Sequence, residues 1–279
     1  MHVSLFDQYG ALNSRPVFSA IRQGLAVSGV HCSSMDMDAD VAVIWSVVWA
    51  GRMKQNQKVW QHYRSQGKPV IVAEVGMIQR GQTWKLGLNG TGLLASLDVP
   101  MVPNRAQSLG LKLNPWHESG QDIVIACQRT DSEQWAGQPN MDIWLQKIIT
   151  DIRKQSSRPI VVRPHPRQGI PPVDAVIHRP KPLAHTYDSF DFDNSLANAW
   201  CVVNWNSGPG SQAIINGIPA FVGSGSLAAP VGNLDWTQIE NPVRPDRTGW
   251  LEHLAHTEWT VSEIATGYPI RRLLGLESS

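Results

Sequence analysis

The sequence predicts an α/β protein of two sheet-and-helix lobes, with a ligand cleft between them and a helical C-terminal tail. Short apolar runs of strand length alternate with helix-like segments, the pattern of repeated βαβ units. An aperiodic stretch interrupts that alternation once, near the middle of the chain. The length, 279 residues, suits two domains of about 100–150 residues each.

The elements follow in order. A short apolar strand is expected over residues 3–6. A helix over 16–28 has Pro16 in its first turn and Gly29 at its end. The continuous run VAVIWSVV, residues 41–48, reads as a strand buried on both faces. A helix over 54–66 and a strand over 69–73 complete the first lobe. Residues 76–117 are rich in Gly, Pro and Asn with little period, which marks a functional or mobile stretch, and residues 113–121 read as a linker. Alternation then resumes with strands at 122–127, 159–163 and 175–178 and a helix at 141–154. A helix at 195–199, a strand at 201–204, a helix at 210–216 and a strand at 219–222 follow. Helices at 249–256 and 261–267 form the tail. The expected boundaries are 1–117, 118–260 and 261–279, the last packing back toward the first lobe.

Hydrophobic content of 42% and charged content of 17% indicate a cored, folded chain. No apolar run approaches the roughly 18–20 residues that cross a bilayer. The opening MHVSLFDQYG lacks the basic start of a secretory leader. Cys32, Cys127 and Cys201 lie singly in or beside apolar runs. An odd, scattered set points to buried thiols in a reducing cytoplasm, not to disulfides or a zinc site. Residues 1–116 carry 11 Lys/Arg against 6 Asp/Glu, whereas the remainder carries 13 against 17. A basic first half is compatible with a polyanionic partner such as DNA.

Two strand exits carry anion-binding chemistry. The strand at 159–163 runs into Arg163-Pro164-His165-Pro166-Arg167, where each residue before a proline is held extended. That exit projects Arg163 and His165 beyond the carboxyl end of a parallel strand, suited to the charge of a leaving diphosphate. The strand at 201–204 leads into Asn206-Ser207-Gly208-Pro209-Gly210-Ser211-Gln212 and then an apolar helix. Such a turn presents free backbone N–H groups and a helix dipole to an anion, with Ser207 and Ser211 as added hydroxyl donors.

These two exits, with the following AIINGIPAF, resemble the donor half of GT-B glycosyltransferases. The likeness covers residues 159–221 and is to capsule Kdo transferases and teichoic-acid glycerophosphotransferases. It implies two Rossmann-like lobes, with Arg163 and His165 on the donor phosphates and Ser207, Gly208 and Ser211 at the helix end. Asn206-Ser207 and Gln212 depart from that family's Ser/Thr pair and following Glu, so the sugar or ribose contact there is open. In the first half, Glu74 to Gly81 and Trp84 to Gly90 are similar to phage-encoded glycosyltransferases, as is EWTVSEIATG at 258–267. That likeness implies a hydroxymethylated pyrimidine of phage DNA as acceptor.

Transfer to a hydroxyl needs a proton acceptor. Glu74, at the end of the 69–73 strand, is the leading candidate, with Asp7 at the exit of the first strand as rival. Arg80 and Trp84 are candidates for acceptor or phosphate contacts. Asp188, Asp191 and Asp193 read as solvated loop or cap residues, and no metal set is discernible among the histidines. The expected function is an enzyme, a glycosyltransferase moving a sugar from a nucleotide-sugar, UDP-linked glucose or pentose, to modified DNA. No cofactor or divalent metal, no membrane partner and a cytoplasmic location are expected. The alternatives are a capsule or lipopolysaccharide transferase using a CMP- or UDP-sugar, and a non-catalytic nucleotide- or DNA-binding module.

Overall fold

The structure, a computed structural model, describes residues 1–93, 102–184, 189–193 and 196–276. Its strands are, in chain order, β1 (His2–Leu5), β2 (His31–Ser34), β3 (Val41–Trp45), β4 (Val70–Val75), β5 (Thr83–Leu88), β6 (Asp122–Ala126), β7 (Ile160–Arg163), β8 (Val176–Ile177), β9 (Ala199–Val203), β10 (Ala220–Phe221) and β11 (Glu258–Thr260). Its helices are α1 (Arg15–Val27), α2 (Asn56–Ser65), α3 (Arg105–Ser108), α4 (Met141–Arg153), α5 (Gly208–Ile215), α6 (Thr248–Ala255), α7 (Val261–Ala265) and α8 (Tyr268–Leu273). Contacts divide the chain into two compact units. One comprises Met1–Arg105, Asp131–Gln134 and His253–Ser279, the other Ala106–Thr130 and Trp135–Glu252.

The first unit is built on a sheet of order β11-β5-β4-β3-β1-β2. Strands β1 to β4 are parallel, but β5 runs antiparallel to β4, and β11 antiparallel to β5. This corrects the expectation of an aperiodic stretch after residue 76, and it sets antiparallel strands beside the expected βαβ units. The turn from Val75 to Thr83 is too short for a crossover helix, so the chain returns as a hairpin. Alternation sets the two faces of the sheet. Val3, Leu5, Val43, Trp45, Ala73, Trp84 and Trp259 face α1, α7 and α8, while Ala42, Ile44, Val70 and Val72 face Trp60 and Tyr63 of α2. Strand β3 is therefore buried along its whole length, as its unbroken apolar run requires.

The tail is anchored by a buried arginine. Arg105 is 4% exposed and stacks over Trp259 at 4.0 Å. It donates to the carbonyls of Ala255 (2.8 Å) and Glu258 (2.7 Å) and pairs with the Glu263 carboxylate. Burial alone would raise the Glu263 carboxyl, but Arg105 and the Thr260 N–H and hydroxyl outweigh it and hold it below the usual glutamate value. A depressed carboxyl stabilises the fold above its unfolded value and loses that contribution as pH falls through its folded value. The melting temperature is therefore expected to fall less steeply on acidification from about pH 6 to about pH 3 in Glu263→Gln than in the wild type. Parallel slopes would exclude the pair as a source of acid sensitivity.

The second unit holds a parallel sheet of order β10-β9-β6-β7-β8. One face, with Ile123, Ile125, Val162, Cys201 and Val203, packs on Trp144, Leu145, Ile148 and Ile152 of α4. The 113–121 segment, read from sequence as a linker, is instead strapped onto this unit. Trp116 donates to the Pro245 carbonyl at 3.0 Å and lies under the Arg247 guanidinium at 3.7 Å, and Arg247 donates to the Asn114 carbonyl at 2.6 Å. Of the expected 195–199 helix, Ser195 lies outside the described residues, residues 196–198 form turns, and Ala199 opens β9. Asp188 also lies outside them. Asp191 is not solvated: it is 7% exposed, accepts the Lys181 N–H at 2.7 Å, and has His178 Nε2 at 3.6 Å.

Cys127 and Cys201 are buried, and burial pushes the Cys127 thiol up to about 12. Cys32 is only half-buried, because β2 is an edge strand. No helix among the described residues is long and apolar enough to cross a membrane.

Candidate functional site

In the parallel sheet of the second unit, β6 is the first strand. The chain proceeds from it to β7 and β8 on one side, then to β9 and β10 on the other. The topological switch point therefore lies between β6 and β9, and ligands of open α/β sheets bind outside the carboxyl ends at such a point. The NSGPGSQ turn leaves β9 there, and the RPHP exit leaves β7 one strand beyond β6.

Side-chain amides lace these exits together. Asn204, fully buried, donates to the Ala126 carbonyl and to Ser207 Oγ, both at 2.9 Å, and accepts the Ser207 N–H at 3.1 Å. Gln128, 4% exposed at the β6 exit, accepts the Asn206 N–H at 3.0 Å and donates to Asn206 Oδ1 at 2.8 Å. Gln168 accepts the Thr130 N–H at 2.9 Å and donates to Thr130 Oγ1 at 3.1 Å, tying the β6 exit to the β7 exit. Sequence reading missed Gln128, Asn204 and Gln168. Their signal is a polar residue at or just beyond the end of an apolar strand, which has no period to mark it.

Helix α5 begins at Gly208 with Ser207 at its N-cap, extended and making no side-chain cap bond. In the first turn Pro209 has no N–H and the Gly210 N–H bonds the Ser207 carbonyl at 3.4 Å, which leaves the Gly208 N–H without an acceptor among the described residues. A Cβ at Gly210 would meet Val222 Cγ1 at 2.9 Å, so glycine lets α5 lie close on the sheet. Ser211 is buried, whereas Asn206, Ser207, Gly208 and Gln212 are partly exposed.

Arg163 stands on the face of the sheet opposite α4, in register with Ala126. Asn204 continues that row one strand further, so Arg163 and the start of the α5 turn share a face about two strand spacings, or about 10 Å, apart. Arg163 is 6% exposed, its guanidinium faces the Phe192 ring at 4.9 Å, and its Nε has no hydrogen-bond partner among the described residues. Burial lowers its pKa and nearby Asp191 raises it, but a guanidinium stays charged in proteins. His165 is partly exposed, and its Nδ1 accepts the Arg167 N–H at 3.1 Å. In the neutral ring that places the proton on Nε2.

The acceptor-side candidates all lie in the first unit, but not together. Glu74 is half-buried at the end of β4 and accepts from Ser46 Oγ at 3.1 Å. Ser46 is held in a left-handed conformation, φ 63°, by its N–H bond to Ala73 (2.7 Å) and the Val48 N–H on its Oγ (3.1 Å). Strained backbone of this kind clusters at active sites and ligand clamps, and no local pattern in residues 41–48 signals it. Asp7 instead pairs with Arg22 at 3.3 Å and receives Ser34 Oγ at 3.4 Å, on the β1–β2 side. Strand β3 separates β4 from β1, so the two carboxylates are not neighbours. Arg80 is exposed on the turn after β4. Trp84 is 6% exposed in the core, 5.7 Å from the Trp45 ring. The alternation of β5 points it to the face opposite Glu74, which takes it out of reach of a stacking acceptor.

No protein-family model and no curated protein matches the chain. Solved structures share its fold, among them two Kdo transferases. The beta Kdo 2,4 transferase KpsC of Thermosulfurimonas dismutans aligns with a TM-score of 0.54 at 12% identity, covering 95% of this chain and 98% of that one. The beta Kdo 2,7 transferase KpsC of the same organism aligns with a TM-score of 0.54 at 14% identity, covering 99% of each chain. At these identities the likeness is one of fold.

Proposed function

We propose that this chain is a glycosyltransferase that moves a sugar from a nucleotide-activated donor to the hydroxyl of a capsule-type glycan. The observation that carries the proposal is the amide-laced turn from Asn204 to Ser211, opening α5 at the switch point of a parallel sheet. The Gly208 N–H, the positive end of the α5 dipole and the partly exposed Ser207 hydroxyl meet there, which suits a phosphate. His165 Nε2 donates to the departing diphosphate or monophosphate, and the buried charge of Arg163 acts on it through a poorly solvated environment. Glu74 takes the proton of the acceptor hydroxyl as it attacks the anomeric carbon.

A glycan acceptor is favoured over hydroxymethylated DNA because two structures of like fold are Kdo transferases. Burial of Trp84 also removes one ring that could stack on a flipped base.

The test is direct. The protein is incubated with nucleotide-activated Kdo and a panel of UDP-sugars, against Kdo-containing oligosaccharides and hydroxymethylcytosine DNA, and product masses are recorded. A glycan product with its nucleotide released is expected. A mass gain on DNA alone would replace the acceptor, and no product from any pair would overturn the transferase reading.

A further inference from the structure

One carboxylate of the first unit is buried where the reaction outlined above makes no use of it. Glu258, in β11, is fully buried. Its Oε1 accepts the Met77 N–H at 2.7 Å, and its Oε2 accepts the Ile78 N–H at 3.0 Å and the Thr83 hydroxyl at 2.7 Å. Burying a carboxylate is costly even when it is fully hydrogen-bonded, and an apolar side chain commonly serves stability as well or better. All three donors belong to one turn, residues 76–83, which follows the carboxyl end of β4.

The turn is shaped to this grip. A Cβ at Gly76 would collide with Glu258 Oε2 and the Thr83 carbonyl. Thr83 Oγ1 also accepts the Gln79 N–H at 3.1 Å, and the Thr83 N–H bonds the Gln79 carbonyl at 2.9 Å. Glu74, Lys85 and Glu258 are register partners across β4, β5 and β11. Partners directly opposite share a face, so Glu258 holds the turn on the face of the sheet that bears Glu74.

We propose that Glu258 is a positioning residue, holding the 76–82 turn in the shape that presents an acceptor hydroxyl to Glu74. The inference rests on the transferase reading. It makes β11 part of acceptor recognition.

The test uses the full chain as Glu258→Gln, Thr83→Val and Thr83→Ser. Turnover is measured with the best donor–acceptor pair of the wild type, and CMP and UDP binding by calorimetry. Misplacing a reacting group by about 1 Å can cost about 100-fold. Glu258→Gln and Thr83→Val are therefore expected to lower kcat about 10- to 100-fold with unchanged nucleotide Kd. Thr83→Ser keeps the hydroxyl and is expected to retain wild-type turnover. If Glu258→Gln does not fold, the two Thr83 variants decide the matter. A lowered melting temperature with undiminished kcat, or equal losses in kcat and Kd, would overturn the positioning role and leave the transferase reading standing. A wild type without turnover on any pair would overturn both.

Discussion

Glu74→Gln is expected to lower turnover about 1,000-fold, within the range for loss of a general base, while nucleotide affinity changes less than about twofold. The substitution keeps the shape of the side chain and its acceptor oxygen for Ser46 Oγ, which lies 3.1 Å away. What it removes is the capacity to take a proton. Asp7→Asn is expected to change turnover only a few-fold, because Asp7 is engaged by Arg22 and Ser34 on the far side of β1. Steady-state rates of the two variants, with nucleotide binding measured in parallel, separate the candidates. A larger loss in Asp7→Asn would reverse the assignment.

The parallel parts of both sheets were legible because buried strands leave continuous apolar runs, as at Val41–Trp45 and Ile160–Arg163. Capping signals worked similarly: Pro16 opens α1, and Gly217, with φ 81°, closes α5. Strands β2, β5 and β11 escaped for a common reason. Each lies on or beside the first sheet's edge, and polar residues such as His31, Lys85 and Glu258 break its apolar pattern. Their identity as strands comes from pairing with distant segments, not from local pattern.

The candidate site divided the same way. The RPHP and NSGPGSQ exits are local signals in which proline stiffness and glycine permissiveness act on adjacent residues. Gln128, Asn204 and Gln168 serve by bonding residues 38 or 78 positions away in sequence, and Glu258 reaches 180 positions back. Trp84 was misleading because its residue type suits both a stacking platform and a core. The register of β5 against β4 decided for the core.

The anion turn offers the second large effect, through Asn204. Asn204→Leu removes the acceptor of the Ser207 N–H and the donor to the Ala126 carbonyl and Ser207 Oγ. The residue is fully buried, so water does not easily replace these partners. Leaving a buried polar group unsatisfied costs about 1–3 kcal/mol, and with two backbone groups affected a loss of about 3 kcal/mol or more is expected. Nucleotide affinity is expected to fall about 100-fold, the worth of two lost hydrogen bonds to a charged phosphate. Those two losses could share one cause, a generally weakened fold. Ser207→Ala separates them. It removes the hydroxyl and leaves the Ser207 N–H bond to Asn204 in place, so stability is expected to change by less than about 1 kcal/mol. If the turn holds the phosphate, CMP or UDP should still bind about tenfold more weakly. Chemical denaturation and calorimetry on both variants give the two quantities independently. Unchanged nucleotide affinity in Ser207→Ala, together with full stability, would move the phosphate away from the start of α5.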